Sequence, residues 1–238
     1  MILETKTALI TGAGKGIGEA IAKGLAKTGY QTILIGRKKK DLKRVANEIF
    51  ENAGLVPGIF PLDITNTKKM QNTVKSILAE YGRIDVLVNN AGIYFDGTLE
   101  ISQADFKKMM DTNLLAQFNL TKEIVPVMQK QGSGYIFNIA SRSGKIGFEG
   151  SGAYSASKFA MLGFSESLYR ELSPQGIKVT ALCPGWVNTQ MAFDAGTPLS
   201  EEEMIQPEDL FKTIYYLLHL SPATVVKEVV IEAPGSIK

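Results

Sequence analysis

Cysteine is almost absent from this 238-residue chain. Cys183 stands alone, so no internal disulfide can form, and such usage is what a reducing compartment allows. Histidine is as scarce, with His219 alone on a late helical stretch, where it reads as structural; no metal centre is expected. No apolar run reaches the roughly 18 residues that a membrane span requires, and residues 1–6 carry no apolar signal region. A soluble cytoplasmic protein that binds no membrane is the expectation. A dominant charge is missing too. Lys and Arg number 26 against 24 Asp and Glu, interleaved along the chain, so there is no broad basic face for nucleic acid. The local exception is Arg37, Lys38, Lys39 and Lys40.

What is present is a chain 45% apolar, enough to bury a substantial core in a single domain. Short β-favouring runs at 7–11, 31–35, 56–60, 85–88, 135–140, 178–182 and 227–231 alternate with helical patterns at 17–26, 41–50, 68–81, from Ser102 to about 130, 153–172 and 207–220. Gly29, Gly82 and Gly132 stop three of those helices. Such βαβ alternation predicts an α/β fold, a doubly wound parallel sheet of about seven strands with helices on both faces. Between Pro184 and the last helix lies a polar segment, 188–206, longer than an ordinary connection, which reads as a lid.

In the fifth helical pattern Tyr154 and Lys158 stand four residues apart, on one face. A phenol is a poor proton carrier near neutrality unless a cation is held beside it, and each pKa unit of depression corresponds to about 1.4 kcal/mol of phenolate stabilisation. The pair suits proton exchange with a hydroxyl or carbonyl oxygen. An aromatic and a lysine also meet at this spacing by chance on amphipathic helices.

The first strand runs into Thr11-Gly12-Ala13-Gly14-Lys15-Gly16-Ile17-Gly18 and then a helix. A backbone without Cβ atoms can approach a pyrophosphate there, and the helix N-terminus favours its charge. A structural turn alone would also explain the glycines. The second strand ends in Ile35-Gly36-Arg37, without the carboxylate that binds the ribose of NAD. Arg37, with Lys15, favours the 2′-phosphate of NADP instead.

With the glycine turn, Asn90-Ala91-Gly92, Asn113, Ser141, the Tyr154/Lys158 pair and Pro184-Gly185 in order, nearly the whole chain resembles the short-chain dehydrogenase/reductase family. The resemblance implies a Rossmann-fold oxidoreductase that moves hydride between NADP(H) and an alcohol or carbonyl. It implies Tyr154 as acid/base, Lys158 as the residue that lowers the phenol pKa and holds the nicotinamide ribose, and Ser141, with Ser143 as a weaker alternative, as the hydroxyl on the substrate oxygen. Asn113 resembles the helix asparagine of a proton relay. Asp63 and Ile64 match the adenine contacts, Asn90, Ala91 and Gly92 the turn by the adenosine ribose, and Pro184, Gly185, Val187 and Thr189 the nicotinamide segment. The last strand runs into Glu232-Ala233-Pro234-Gly235 instead of the Asp-Gly-Gly common in the family.

The resemblance further implies a small carbonyl or alcohol substrate and a homodimer or homotetramer. The substrate wall is expected from 93–98, 145–149, Trp186 and the lid, with Phe95, Phe148, Trp186, Met191 and Phe193 giving it apolar character. A 3-oxoacyl carrier-protein reductase, a sepiapterin-reductase-like enzyme and a broad carbonyl reductase are the subgroups left open. A non-catalytic NADP-sensing regulator is the reading from another class, disfavoured by the intact Tyr154 and Lys158. A nucleotide-sugar epimerase on the same fold would need more chain after Pro184 than about fifty residues.

Overall fold

A computed structural model describes residues 5–236. Seven parallel strands, β1 (Thr7–Thr11), β2 (Gln31–Gly36), β3 (Gly58–Pro61), β4 (Val86–Asn89), β5 (Gly134–Ile139), β6 (Ile177–Pro184) and β7 (Glu228–Ile231), lie in the order β3-β2-β1-β4-β5-β6-β7. The chain direction across the sheet reverses between β1 and β4, and in such sheets the crevice beyond the strands' carboxyl ends at that reversal is where ligands bind.

Alternation along each strand sends side chains to both faces, and both faces are covered. Ala8, Ile10, Leu34, Val86, Val88 and Phe137 enter one core with Ile21 and Leu25 of α1 (Gly16–Lys27), Leu42 and Val45 of α2 (Lys39–Ala53) and residues near the C-terminus. Leu9, Ile33, Ile35, Leu87, Ile136 and Val179 enter the other. They meet Met70 and Val74 of α3 (Thr67–Tyr81) and helices of the second half.

The helical pattern opening at Ser102 forms one rod in three parts. Ser102 caps α4 (Gln103–Met110) by accepting from Asp105 N at 3.0 Å. A π-helical turn, Asp111–Leu115, follows, and α5 (Ala116–Gln131) closes at Gly132 in the left-handed region. Helix α6 (Gly152–Leu172) carries the Tyr154/Lys158 pair. The expected lid holds a short helix, α7 (Gln190–Asp194), and its ends are tied together by Asn188 N to Ile205 O at 2.8 Å and Ile205 N to Trp186 O at 3.0 Å. Helix α8 (Pro207–Leu218) then packs so closely on α1 that a Cβ on Gly24 would fall 2.2 Å from the Phe211 ring. Among the described residues no helix is long and apolar enough to cross a membrane.

Candidate active site

The glycine turn, Arg37, Asn90, Ser141 and Pro184 lie at or just beyond the carboxyl ends of β1, β2, β4, β5 and β6, and Tyr154 and Lys158 lie on α6. The glycine turn joins β1 to α1. Gly12 and Gly16 have positive φ, 66° and 57°. At Gly18 a Cβ would fall 2.5 Å from both Asn90 Nδ2 and the Gly12 carbonyl oxygen, so the turn tolerates no side chain there. Lys15 is the N-cap of α1 in an extended conformation and offers no side-chain cap. The first amides of α1 are left facing the crevice with nothing from the cap to satisfy them, which suits an anion. Thr189 leans over the turn, its Cγ2 3.1 Å from where a Cβ of Gly16 would stand. Gly14 is tied to α2 through its carbonyl, which accepts from Arg44 at 3.1 Å. Ile17 and Val187 turn their side chains into the core, so only their backbones face the crevice.

Asn90 bonds the protein itself. Its Nδ2 donates to Thr11 O at 2.8 Å, and the Thr11 hydroxyl accepts from the backbone of Asn90 and Ala91 at 2.9 and 3.0 Å. The asparagine therefore fastens the end of β4 to the glycine turn. Arg37 is exposed just past β2. Asp63 bonds Thr65 through its backbone N and hydroxyl. Burial would raise the Asp63 carboxyl, but those bonds and the charge of Arg37 outweigh it and hold it below the ordinary value. The charge of Arg37, just past β2, therefore reaches the Asp63 carboxyl beyond β3. Ile64 is buried in the second core.

At the other end, Asn113 sits in the π-helical turn, 1% exposed. Its amide accepts from Ile93 N at 2.8 Å and donates to Ile93 O at 3.0 Å and to Ser157 Oγ at 3.1 Å. Asn113 thereby clamps the strand leaving β4 onto α6. A Cβ on Gly92 would lie 3.4 Å from Asn113 Oδ1 and 3.8 Å from Lys158 Nζ. These three residues close one wall.

Lys158 is 5% exposed and donates to Ile139 O at 2.8 Å. Burial pulls its ammonium down to about 8. Tyr154 is only half-buried, but desolvation by the side chains packed around it pushes its phenol up to about 12, with a hydrogen bond from Ser141 opposing it. The expected lowering of Tyr154 by Lys158 is therefore corrected for the protein alone. Nζ lies 5.5 Å from the centroid of the Tyr154 ring, over its face, and desolvation of both groups outweighs that attraction. Ser141 Oγ also accepts from Ser143 N at 3.1 Å and caps the 3₁₀ turn Arg142–Gly144, so capping and phenol bonding coexist in Ser141. Ser143 contributes its backbone to that turn. Pro184 ends β6, and Gly185 N donates to Ile231 O at 2.8 Å.

A protein-family model described as short chain dehydrogenase matches residues 6–198. The chain belongs to the short chain dehydrogenase family. It is similar to the oxidoreductase YxjF of Bacillus subtilis (strain 168), 34% identical over 217 residues that cover 91% of this chain and 84% of the relative. It is similar in structure to a betaketoacyl-ACP reductase (FabG) from Bacteroides thetaiotaomicron, 47% identical with a TM-score of 0.87 and 98% of each chain covered. An alcohol dehydrogenase from the archaeon Thermococcus sibiricus, complexed with 5-hydroxy-NADP, superposes with a TM-score of 0.91 at 28% identity over 99% of each chain.

In this short chain dehydrogenase three features of the site escape motif reasoning. Tyr94 packs edge-to-face on Tyr154, with ring centroids 5.3 Å apart. Its hydroxyl is held by Asp96 Oδ1 at 3.0 Å and Ser151 Oγ at 3.2 Å. Gln117, one turn after Asn113, donates to Ala91 O and supports the same strand exit. Arg44 joins Glu19, Lys23 and Glu48 in an ion network beneath the glycine turn. The glutamate four residues before the lysine in α1 was a visible signal for part of that network; the partners in α2 were not. Of the expected apolar wall, Trp186 packs into the core, and Phe95 and Phe148 lie under the cations of Lys108 and Arg142. Met191 and Phe193 of α7 remain exposed. Cys183 is fully buried, its thiol pushed up to about 12 by that burial, and packs as expected.

Proposed function

We propose that the protein is an NADPH-dependent reductase of ketones or aldehydes, with Tyr154 as its proton donor. The observation that carries this reading is the Ser141 hydrogen bond to a half-buried phenol with an ammonium 5.5 Å from its ring, in a crevice whose other end is a glycine turn with no side-chain cap and no room for a Cβ at Gly18. That turn fits a dinucleotide pyrophosphate, since its backbone is open and the α1 amides point outward. Lys15 and Arg37 would hold the 2′-phosphate, with no carboxylate at the end of β2 to repel it. Asp63, Ile64, Asn90, Ala91 and Gly92 would line the adenosine, and Pro184, Gly185, Val187 and Thr189 the nicotinamide.

When bound, a reduced nicotinamide supplies hydride to the carbonyl carbon. Tyr154, kept protonated by its raised pKa, gives its proton to the oxygen as negative charge gathers there. Ser141 donates to the same oxygen, and the cation of Lys158 biases the site toward that charge. Asn113 keeps the wall beneath in register. Its bonds to Ile93 and Ser157 hold α6 at a fixed distance from the end of β4.

The identity to a betaketoacyl-ACP reductase favours a 3-oxoacyl thioester as substrate. The exposed Phe118 and Phe159 give α5 and α6 an apolar outer face, in keeping with a homodimer or homotetramer. The test is NADPH and NADH oxidation against a 3-oxoacyl thioester, sepiapterin, a 1,2-diketone and an aromatic aldehyde, for the wild type and Tyr154→Phe. The reading requires turnover with NADPH well above NADH and a loss of about 10²–10⁴-fold in the variant. Near-normal turnover by Tyr154→Phe with NADPH binding intact defeats it.

A further inference from the structure

The chain departs from its family's common ending at Glu232, and that residue stands between the two halves of the site. Glu232 Oε2 accepts from Arg142 Nη1 at 3.1 Å. The same oxygen lies 2.8 Å from where a Cβ of Gly185 would be. Arg142 directly follows Ser141, and Gly185 directly follows the strand end that faces the nicotinamide side. One carboxylate oxygen therefore touches the turn that carries the substrate serine and the turn expected to hold the carboxamide.

The guanidinium is held firmly. Its Nη1 also donates to Ser236 Oγ at 3.0 Å and Ser236 O at 3.2 Å, and its carbon lies 4.7 Å from the centre of the Phe148 ring. The Arg142 side chain is only 15% exposed, so the pair is shielded from solvent more than an ordinary surface bridge. A second bond, Lys145 Nζ to Glu228 at 2.9 Å, fixes the same 3₁₀ turn to β7. Gly185 has no side chain and Glu232 fills the space, so beyond the last β5–β6 backbone bond, Ala140 N to Leu182 O at 2.8 Å, this ion pair and the Lys145–Glu228 bridge tie the Ser141 turn to the segment beside Gly185.

We propose that Arg142 and Glu232 are positioning residues that set the spacing between the proton-donating side of the site and the nicotinamide side. The proposal rests on the reductase reading given above. Neither residue touches the reacting atoms; they act through Ser141 and Gly185. A misplacement of the order of 1 Å between reacting groups costs about 10²-fold in rate, so a loosened spacing lowers kcat while the phosphate and adenosine contacts, at the far end, keep cofactor affinity.

The experiment compares wild type, Arg142→Ala, Glu232→Ala, the double variant and the isosteric Glu232→Gln, with thermal melting to establish that each is folded. Expected are a kcat loss of about 10–100-fold in each alanine variant, a dissociation constant for NADPH within about threefold of wild type, and a double variant no worse than either single. Glu232→Gln, which keeps the shape and one acceptor, recovers most of kcat. Independently of turnover, the fluorescence of bound NADPH should lose much of its enhancement in the alanine variants at saturating cofactor, since the nicotinamide is less immobilised while the other end stays bound. Additive losses, unchanged kcat, or fluorescence identical to wild type overturn the proposal. A wild type that binds NADPH but reduces no carbonyl defeats the reductase reading, and the fluorescence comparison still decides the positioning role.

Discussion

Lys158→Met should make the protein more stable at neutral pH while removing its activity. The Lys158 ammonium is 5% exposed, and burial brings it from 10.5 to about 8. That difference corresponds to about 3 kcal/mol of penalty for keeping the charge buried at pH 7. Methionine has nearly the same length and no charge, so the penalty disappears. Against this, Ile139 O loses its donor, Lys158 Nζ at 2.8 Å, at a cost of about 1–3 kcal/mol. The net gain at pH 7 is about 1 kcal/mol or slightly more. The sign reverses on the alkaline side. The folded pKa lies below the unfolded one, so between about 8 and about 10.5 the unfolded chain holds the additional proton and wild-type stability climbs with pH. Below about 8 both states are charged and the penalty is constant. At pH 10 less than about 1 kcal/mol of it remains, and Lys158→Met becomes the less stable protein. Urea denaturation of both proteins at pH 7 and pH 10 measures this, and taking their difference cancels every other titrating group. A variant destabilised at pH 7, or a difference that does not change with pH, refutes the reasoning.

Carbonyl reduction should be level with pH up to about 8 and fall above it as Lys158 loses its proton, because the Tyr154 phenol, near 12, stays protonated throughout; initial rates of NADPH oxidation show this, and a decline centred below pH 7 contradicts it. Arg37→Ala should weaken NADPH about tenfold or more, the worth of a charge-assisted phosphate bond, and leave NADH unchanged; equal weakening of both in a fluorescence titration removes Arg37 from the phosphate site. Gly24→Ala should lower stability by about 1–3 kcal/mol, because its Cβ would meet the Phe211 ring at 2.2 Å, with kcat unaltered; an unchanged melting temperature would mean that α8 yields freely.

The fold was legible where the local pattern and the tertiary structure agree. The run 7–11 is β1 itself, and Gly82 and Gly132 end α3 and α5 in the left-handed conformation that their lack of a Cβ permits. Helix α2 begins at Lys39 instead of 41, because its N-cap, Lys38, has no side-chain acceptor to mark the start. The stretch after Ser102 reads as one helix and is one rod, yet its π-helical turn at Asp111–Leu115 left no trace in the apolar spacing. Its Asn113 instead bonds to Ile93, twenty residues earlier. The 188–206 segment reads as irregular because its anchors, Val187 with Ile205 and Leu199 and Met204 in the core, lie too far apart in sequence for any local period.

The candidate site divides in the same way. Residues whose roles follow from backbone chemistry, Gly12, Gly16 and Gly18 above all, could be read directly, since a turn that excludes Cβ atoms needs glycine at fixed offsets. Residues that act through distant partners could not: Tyr94 meets Tyr154 across 60 positions, and Arg142 meets Glu232 across 90. Spacing correctly placed Tyr154 and Lys158 on one helix, but it carried no information about burial, and burial decides their electrostatics. Each group is pushed toward its neutral form, the phenol upward and the ammonium downward. In the protein alone the pair is thus suited to giving a proton away, since a phenol held near 12 does not ionise beforehand and an ammonium near 8 is still charged when negative charge appears on a bound oxygen. The same desolvation that makes Lys158 costly to fold keeps that charge unscreened where the reaction needs it, which is why removing it should strengthen the fold and abolish the chemistry together.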